Sequence, residues 1–223
     1  MKAKKLTGEK AVEYVEDGMI IGLGTGSTAY YAIKKVGEMV RNGFKIKAVP
    51  TSKETAKLAA EEGIDLVELA DVESLDLTID GADEVDPYFN LIKGGGGALL
   101  REKIVASATE KLIIVVDESK LVNHLGAFHL PVELTPFSWQ YTQRMIEKFN
   151  CSSKIRKIDG EIYLTDNGNY ILDCDFVKIE DPLKISLELN KLPGVVENGI
   201  FAEMAELIVV GYNDDHIEVL DNE

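Results

Sequence analysis

Three glycine-containing segments carry the side chains of this sequence that could bind an anion or move a proton. The first, residues 24–29, reads Gly-Thr-Gly-Ser-Thr-Ala and precedes a predicted helix. Glycines let the backbone approach a ligand, hydroxyls can donate hydrogen bonds, and a helix N-terminus favours an anion. This segment predicts a phosphate-binding loop. A glycine-rich turn with Ser27 as the helix cap would have the same composition.

The same segment also fits the dinucleotide-binding pattern G-x-G-x-x-A. That pattern needs an acidic residue about 20 positions later, at the end of the second strand, to hold a ribose hydroxyl. Residues 48–52 read Ala-Val-Pro-Thr-Ser and contain no carboxylate. A nucleotide-dependent dehydrogenase is therefore disfavoured.

The second segment, residues 80–86, has four acidic residues among seven and follows a predicted strand. Such a segment is usually an exposed turn. In an open parallel sheet, however, ligands bind outside the carboxyl ends of the strands. Asp80 and Asp83 lie where the strand would deliver their side chains to that crevice.

The third segment is Lys93 followed by four glycines, residues 94–97, and a predicted helix that carries Glu102. A flexible linker would explain the glycines, and a salt bridge to Arg101 or Lys103 would explain Glu102. Glycine N–H groups, a lysine and a carboxylate together suit proton abstraction beside a carbonyl. In that chemistry Glu102 is the base, and Lys93 with backbone donors meets the developing oxyanion.

Lys120 offers another cation after a further predicted strand, with an exposed helix start as the alternative. The three histidines and two cysteines have no metal-ligand spacing, so we expect neither a metal site nor a disulfide framework. The net charge of −15 disfavours nucleic acid as a partner. No apolar stretch approaches the roughly 20 residues of a membrane helix, and no signal peptide is recognisable. We expect a cytoplasmic protein.

The elements that would position these residues alternate along the first half of the chain. Predicted strands at 19–23, 45–49, 75–79 and 112–116 are separated by helices at 8–17, 27–41, 53–62 and 99–109. This order predicts an α/β fold, a mostly parallel sheet flanked by helices.

The pattern changes after about residue 128. Pro131 and Pro136 lie on either side of a predicted break, which is followed by a helix at 137–149, strands at 154–158, 161–165 and 170–176, and a helix at 182–192. Residues 166–169, Asp-Asn-Gly-Asn, predict a hairpin turn between the last two strands. We predict a main catalytic domain of residues 1–128 plus 206–223, whose strand 206–212 rejoins the sheet, and a smaller inserted α+β lobe of residues 129–205.

Taken together, the motifs resemble those of type A ribose-5-phosphate isomerases over nearly the whole chain. The matching segments are GLGTGSTA at 22–29, PTS at 50–52, DGADEVD at 80–86, IKGGGGALLREKIVA at 92–106, VVDESKLV at 115–122, LPVELTPF at 130–137 and LPGVVENGIF at 192–201. The resemblance implies reversible aldose–ketose isomerisation of D-ribose 5-phosphate to D-ribulose 5-phosphate in the pentose phosphate pathway. It also implies no cofactor or metal, and a homodimer or tetramer.

The resemblance also implies roles for individual residues. Glu102 would be the proton acceptor, and Lys120 would contact the substrate. The phosphate and the sugar would be held by three short runs of residues: Thr25, Gly26, Ser27 and Thr28; Asp80, Gly81, Ala82 and Asp83; and Lys93, Gly94, Gly95 and Gly96. Ring opening needs a proton donor and acceptor, which we assign to Asp80 with Asp83 and Lys93.

Two other functions fit parts of this pattern. A non-catalytic sugar-phosphate sensor on the same fold would keep the phosphate loop and lose the base, whereas this sequence retains Glu102, Lys93 and Asp80 together. A coenzyme A transferase would use a glutamate nucleophile, and failure to exchange coenzyme A would exclude it.

Overall fold

A computed structural model describes residues 2–222, which divide into two compact units. Unit 1 comprises the chain up to Ala82, Arg101–Leu121 and the chain from Met204; unit 2 comprises Asp83–Leu100 and Val122–Glu203. This division differs from the predicted boundary at residue 128. The reason is that short strands at Glu84–Val85 and Leu91–Ile92 form a sheet with Ile200–Phe201, deep in the second part of the chain.

The helices and strands are numbered here in chain order. The helices are α1 (Lys2–Ala11), α2 (Ala29–Arg41), α3 (Lys53–Glu61), α4 (Leu99–Ser107), α5 (Trp139–Ile146) and α6 (Pro182–Asn190). The strands are β1 (Ile20–Leu23), β2 (Lys47–Pro50), β3 (Asp65–Leu66), β4 (Leu77–Gly81), β5 (Glu84–Val85), β6 (Leu91–Ile92), β7 (Leu112–Asp117), β8 (Leu130–Leu134), β9 (Ser152–Ile155), β10 (Lys157–Ile158), β11 (Glu161–Ile162), β12 (Tyr170–Asp175), β13 (Val195–Asn198), β14 (Ile200–Phe201), β15 (Leu207–Gly211) and β16 (Ile217–Asp221).

Unit 1 contains a seven-stranded sheet in the order β16-β15-β7-β4-β1-β2-β3. All its pairs are parallel except β15 with β16. Fully buried aliphatic side chains such as Ile21, Leu23 and Ile113 form its core, because parallel strands are covered on both faces. The structure confirms the mostly parallel α/β fold and the return of the chain through β15.

Helix α1 begins at Lys2, six residues earlier than predicted. The sequence pattern did not indicate this start, because the first residues of the helix are mostly basic and show no apolar periodicity. Its contact with α2 depends on Gly8. A side-chain carbon at Gly8 would lie 2.9 Å from the Ala32 nitrogen and 3.0 Å from the Thr28 carbonyl oxygen. The missing side chain therefore lets the two helix backbones approach closely.

Unit 2 contains an antiparallel sheet in the order β13-β8-β12-β9, a second sheet in the order β14-β6-β5, and the hairpin β10–β11. The predicted hairpin between strands 161–165 and 170–176 is wrong. β11 pairs instead with β10 across Asp159 and Gly160, whose φ angles of 52° and 86° suit a two-residue hairpin turn. β12 pairs with β8 and β9.

The break predicted between Pro131 and Pro136 begins later than expected, because β8, an interior strand, runs through Pro131 to Leu134. The pairing of β8 with β13 runs only as far as Val132 with Asn198, so Pro131 lies just beyond it. There its carbonyl accepts a hydrogen bond from the Gly199 N–H at 2.8 Å. The proline thus occupies a position where the ladder needs an acceptor only.

Within residues 2–222, the structure has no helix with the length and apolar character needed to span a membrane.

Candidate active site

Asp80 is held against the first glycine-containing loop within unit 1. It lies near the end of β4, beside β1, and is 1% exposed. Its Oδ1 accepts hydrogen bonds from the N–H groups of Gly81 at 2.7 Å and Thr25 at 3.1 Å. A side-chain carbon at Gly24 would lie 2.0 Å from the same oxygen. The glycine therefore makes room for the carboxylate, and parallel pairing brings the two motifs together.

The hydroxyl of Thr25 belongs to a cluster of four hydroxyl groups. Its Oγ1 lies 2.8 Å from Oγ1 of Thr51, 2.9 Å from Oγ of Ser52 and 3.1 Å from Oγ1 of Thr55. Thr55 in turn donates to the Gly24 carbonyl at 3.0 Å. Thr51 and Ser52, at the position where a dinucleotide site would have its acidic residue, thus fix the loop in place.

Lys4 reaches the same loop, although it lies outside the glycine-containing motifs. Its Nζ donates to Oγ of Ser27 at 2.9 Å and lies 3.9 Å from Oδ2 of Asp117. Lys4 precedes Gly8 by one helical turn, so both lie on the α1 face that meets α2. Lys4 belongs to no local motif, so its position at the loop follows from the packing of α1 against α2.

Lys120 ends a short 3₁₀ helix, Glu118–Lys120, directly after β7. This helix is capped by Asp117, whose Oδ1 accepts the Ser119 N–H at 3.1 Å. β7 pairs with β4 in parallel, so Lys120 follows the same end of the sheet as Asp80. The half-buried Lys120 adds a second cation at this end of unit 1.

Glu102 lies in the first turn of α4 and is only 4% exposed. One turn later on the same face, Val105 packs against β1, where a side-chain carbon at Gly22 would lie 2.7 Å from Cγ1 of Val105. Glu102 therefore does not lie on an exposed face of the helix. A carboxylate shielded from water in this way is suited to accept and return a proton.

In unit 2, Asp83 holds the glycine segment that follows Lys93. Its Oδ2 accepts the Gly95 N–H at 2.7 Å, and its own N–H donates to the Ile92 carbonyl at 2.7 Å. Gly94 and Gly97 have φ angles of +97° and +83°, which only glycine adopts readily. The segment is therefore an ordered loop and not a flexible linker.

Lys93 is buried in unit 2, with 2% of its surface exposed. Its Nζ lies 5.4 Å from the centroid of the Phe201 ring, a cation–π geometry. The backbone N–H of Lys93 donates to the Gly199 carbonyl at 2.8 Å. A buried ammonium on a strand-anchored backbone is a strong electrostatic donor for a developing negative charge.

The four acidic residues of segment 80–86 make different contacts. Glu84 is buried and accepts the N–H groups of Gly126 at 2.7 Å and Phe128 at 2.5 Å. Asp86 accepts the N–H groups of Tyr88 and Asn90, both at 2.9 Å. These two carboxylates stabilise loops of unit 2, so Asp80 and Asp83 are the members of the segment that stay candidates for chemistry.

The predicted site residues therefore form two sets. Unit 1 holds Glu102, Lys120, Thr25, Gly26, Ser27, Thr28, Asp80, Gly81 and Ala82, and unit 2 holds Asp83, Lys93, Gly94, Gly95 and Gly96. The unit 1 set contains the buried carboxylates of Asp80 and Glu102, and the unit 2 set contains buried Lys93 and the half-buried Asp83 on a hydrogen-bonded glycine loop.

Comparison with known proteins matches this chain to one family. Residues 47–215 match the family model described as ribose 5-phosphate isomerase A (phosphoriboisomerase A). A ribose-5-phosphate isomerase A of Bacillus mycoides (strain KBAB4) is 52% identical, covering 95% of this chain and 96% of the relative. One from Ruegeria sp. (strain TM1040) is 50% identical, covering 99% of this chain and 87% of the relative.

Solved structures give the same result. A ribose 5-phosphate isomerase from Plasmodium falciparum has a TM-score of 0.96 at 40% identity, covering 99% of both chains. A D-ribose-5-phosphate isomerase in complex with phospho-erythronic acid has a TM-score of 0.95 at 41% identity, covering 98% of this chain and 97% of the other. The folds of both units, the retained motifs and these matches lead to one conclusion: the chain belongs to the ribose 5-phosphate isomerase A family.

Proposed function

We propose that this protein interconverts D-ribose 5-phosphate and D-ribulose 5-phosphate, with Glu102 as the proton-transferring base. The observation that carries the proposal is the burial of Glu102, 4% exposed, in a chain that matches the isomerase family over residues 47–215. Moving a carbonyl from C1 to C2 needs one group that can take a proton from C2 and return it to C1. A single buried carboxylate can do both.

The proposed reaction passes through an enediolate. The Glu102 carboxylate takes the proton from C2, the electron pair of that C–H bond forms the C1–C2 double bond, and O1 takes the negative charge. The proton on O2 then moves to O1, Glu102 returns its proton to C1, and the carbonyl re-forms at C2. Triosephosphate isomerase, an example in which one glutamate serves as this base, follows the same logic.

The other proposed roles follow from the chemistry of each group. Lys93 and the N–H groups of Gly94 and Gly96 would stabilise the enediolate oxygens, since fixed donors do so most effectively in a site without bulk water. The Gly95 N–H is bound to Asp83, so Gly95 would instead hold that carboxylate in place. Opening of the ribose ring needs proton transfer at the ring oxygen and at O1, which we assign to Asp80 and Asp83. Gly81 and Ala82 would line the sugar.

We assign the phosphate to Ser27, Thr28 and the cations Lys4 and Lys120. Because the net charge is −15, a phosphate site needs local cations that overcome the overall field. The 2.9 Å contact between Lys4 Nζ and Ser27 Oγ supports this assignment. The hydroxyl of Thr25 is engaged by Thr51, Ser52 and Thr55, and its N–H is engaged by Asp80, so Thr25 would position the loop while Gly26 would contribute its N–H. The phospho-erythronic acid of the related structure, a phosphorylated sugar acid, also supports a sugar-phosphate ligand.

The proposal includes a place in the non-oxidative pentose phosphate pathway, a cytoplasmic location, a homodimeric or tetrameric assembly and activity without cofactor or metal. The decisive experiment incubates purified protein with ribose 5-phosphate and EDTA and follows ribulose 5-phosphate. We expect turnover by the wild type and a fall in kcat of at least about 100-fold in Glu102→Gln, with KM little changed.

The matched control for this experiment is Glu110→Gln, which removes the charge of an exposed carboxylate just beyond α4. Activity of Glu102→Gln within threefold of wild type would contradict the base assignment. Tight binding of ribose 5-phosphate without turnover would instead favour a non-catalytic sugar-phosphate sensor.

A further inference from the structure

Arg156 in unit 2 binds the glycine segment directly. Its Nη1 donates to the carbonyl oxygens of Gly94 at 2.9 Å and Gly95 at 3.1 Å. The guanidinium is fixed by Asp173, whose Oδ2 accepts from Nε at 3.0 Å and whose Oδ1 accepts from Nη2. One planar cation thus joins an acidic side chain on β12 to two consecutive carbonyls of the loop.

These two hydrogen bonds determine the direction of the following N–H groups. A trans peptide group is planar, so its C=O and N–H point in opposite directions. The bond from Arg156 to the Gly94 carbonyl turns the Gly95 N–H away from the guanidinium, where Asp83 accepts it at 2.7 Å. By the same geometry, the bond to the Gly95 carbonyl turns the Gly96 N–H away from the guanidinium.

Arg156 is itself held firmly. Its N–H donates to the Ile171 carbonyl at 2.8 Å, and its carbonyl accepts the Tyr163 N–H at 3.0 Å. Only 13% of its side chain and 25% of the Asp173 side chain are exposed. A bidentate ion pair with this little exposure is much less screened than a surface pair, and the rigid fork of arginine suits it where lysine would not.

We propose that Arg156 is a positioning residue for the isomerase reaction, which it supports by setting the peptide planes of Gly94–Gly96 and thereby the Asp83 carboxylate and the Gly96 N–H. Asp173 fixes the orientation of the guanidinium by accepting its two hydrogen bonds. This inference rests on the proposed function, because the glycine segment and Asp83 act on the substrate only in that proposal. A purely structural clamp for the sheet of unit 2 is the competing explanation.

The test measures kcat and KM for Arg156→Ala, Arg156→Lys and Asp173→Asn with ribose 5-phosphate. We expect Arg156→Ala to lower kcat by about 10- to 100-fold while KM changes much less, because small misplacement of donors weakens transition-state stabilisation most. Arg156→Lys retains the charge without the fork, so it should recover little activity. Free guanidinium, at concentrations too low to unfold the protein, should partly restore Arg156→Ala.

A further readout separates positioning from stability. Inhibition by phospho-erythronic acid should weaken in Arg156→Ala roughly in proportion to the loss in kcat/KM. If Arg156 had only a structural role, the inhibition constant and kcat/KM of the folded protein would both equal those of wild type. The matched control is Arg144→Ala, which removes an arginine of α5 that lies 5.7 Å from the Tyr141 ring. This control should keep wild-type kinetics.

Activity of folded Arg156→Ala within twofold of wild type would overturn the inference, as would activity that simply tracks the folded fraction in all three variants. Failure of the proposed function looks different. It would show as an inactive wild type, or as normal activity in Glu102→Gln, before any Arg156 variant is compared.

Discussion

At the scale of single residues, Lys4 is a cation that contacts the first glycine-containing loop although no sequence motif includes it. Its Nζ donates to Ser27 Oγ at 2.9 Å, whereas its neighbour Lys5 lies 3.8 Å from Glu9. A hydrogen bond to a charged group contributes about 1.5–3 kcal/mol. Lys4→Ala should therefore raise KM for ribose 5-phosphate about tenfold or more, with a smaller effect on kcat.

Lys5→Ala is the matched control for this prediction, because it removes the same charge from the adjacent position of α1. Steady-state kinetics of both variants at one ionic strength provide the measurement. Equal KM values for the two variants would show that the lost charge acts through the overall field and that Lys4 does not contact the phosphate.

Sequence patterns could identify Asp80 because it follows a predicted strand, and Lys93 and Glu102 because they lie on either side of the four glycines. They could not identify Lys4 or Arg156, since neither belongs to a local motif. Lys4 depends on the close approach of α1 and α2 at Gly8, and Arg156 depends on the pairing of β9 with β12. Both contacts join residues that are far apart in the chain, so no local spacing encodes them.

At the scale of elements, Glu62 joins α2 to the end of α3. Its carboxylate accepts hydrogen bonds from Lys34 and from Arg41 Nη1, the latter at 2.7 Å, and these bonds lower its pKa below the ordinary value. A carboxylate with a lowered folded-state pKa stabilises the fold above its ordinary pKa, and this contribution is lost as pH falls through the folded-state pKa.

Glu62→Gln should therefore lower the free energy of unfolding near pH 7 by about 1 kcal/mol, because Lys34 and Arg41 are half exposed and water screens the pairs. The difference from wild type should shrink as the pH falls below 4. Urea unfolding across this range measures it. Exposed Glu61→Gln is the control, and a constant difference between Glu62→Gln and wild type at every pH would contradict the interpretation.

The helices and parallel strands of unit 1 were predictable because the alternation of apolar strands and amphipathic helices is local. Apart from the start of α1, the errors described above lie in unit 2, where two turn sequences compete. Asp159-Gly160 and Asp166–Asn169 both suit a hairpin, and strand pairing decides which of them joins adjacent strands. Pro131 is tolerated in an interior strand for the same reason, since only the neighbouring strand determines whether its missing N–H is needed.

At the scale of the whole molecule, the thiols report on the integrity of unit 2. Cys174 is fully buried in the core of that unit, and Cys151 packs against the core. The hydrogen bond to Cys151 and burial raise the pKa of the Cys174 thiol, while the hydrogen bond from Cys174 lowers the pKa of the Cys151 thiol. The thiolate is the reactive form, so the two cysteines should react very differently.

We expect iodoacetamide to modify Cys151 in the native protein. Because its pKa is lowered, the modification rate should reach half its maximum at a lower pH than the rate for an ordinary thiol does. Cys174 should react only when unit 2 opens, so its labelling rate should rise with urea in parallel with unfolding. Peptide mass spectrometry resolves the two sites. The variant Cys151→Ser provides the control, and rapid labelling of Cys174 in the native state would contradict the prediction.

The predicted division of the chain at residue 128 differs from the division in the structure, because local sequence patterns do not reveal long-range strand pairing. Composition and periodicity change there, but β5 and β6 join β14 across more than a hundred residues. Domain membership follows these pairings and not the local pattern. For this reason the fold class was predictable from the sequence, whereas the division into units was not.

The two edge strands of the seven-stranded sheet have a consequence for how the protein behaves in concentrated solution. β3 has only two residues, and β16 carries Glu218 and Asp221 and follows the acidic turn at Asp214 and Asp215. Short or charged edges are poor templates for the addition of a foreign strand. The sheet is thereby protected from growing into fibrils, even though its strands are among the most apolar segments of the chain.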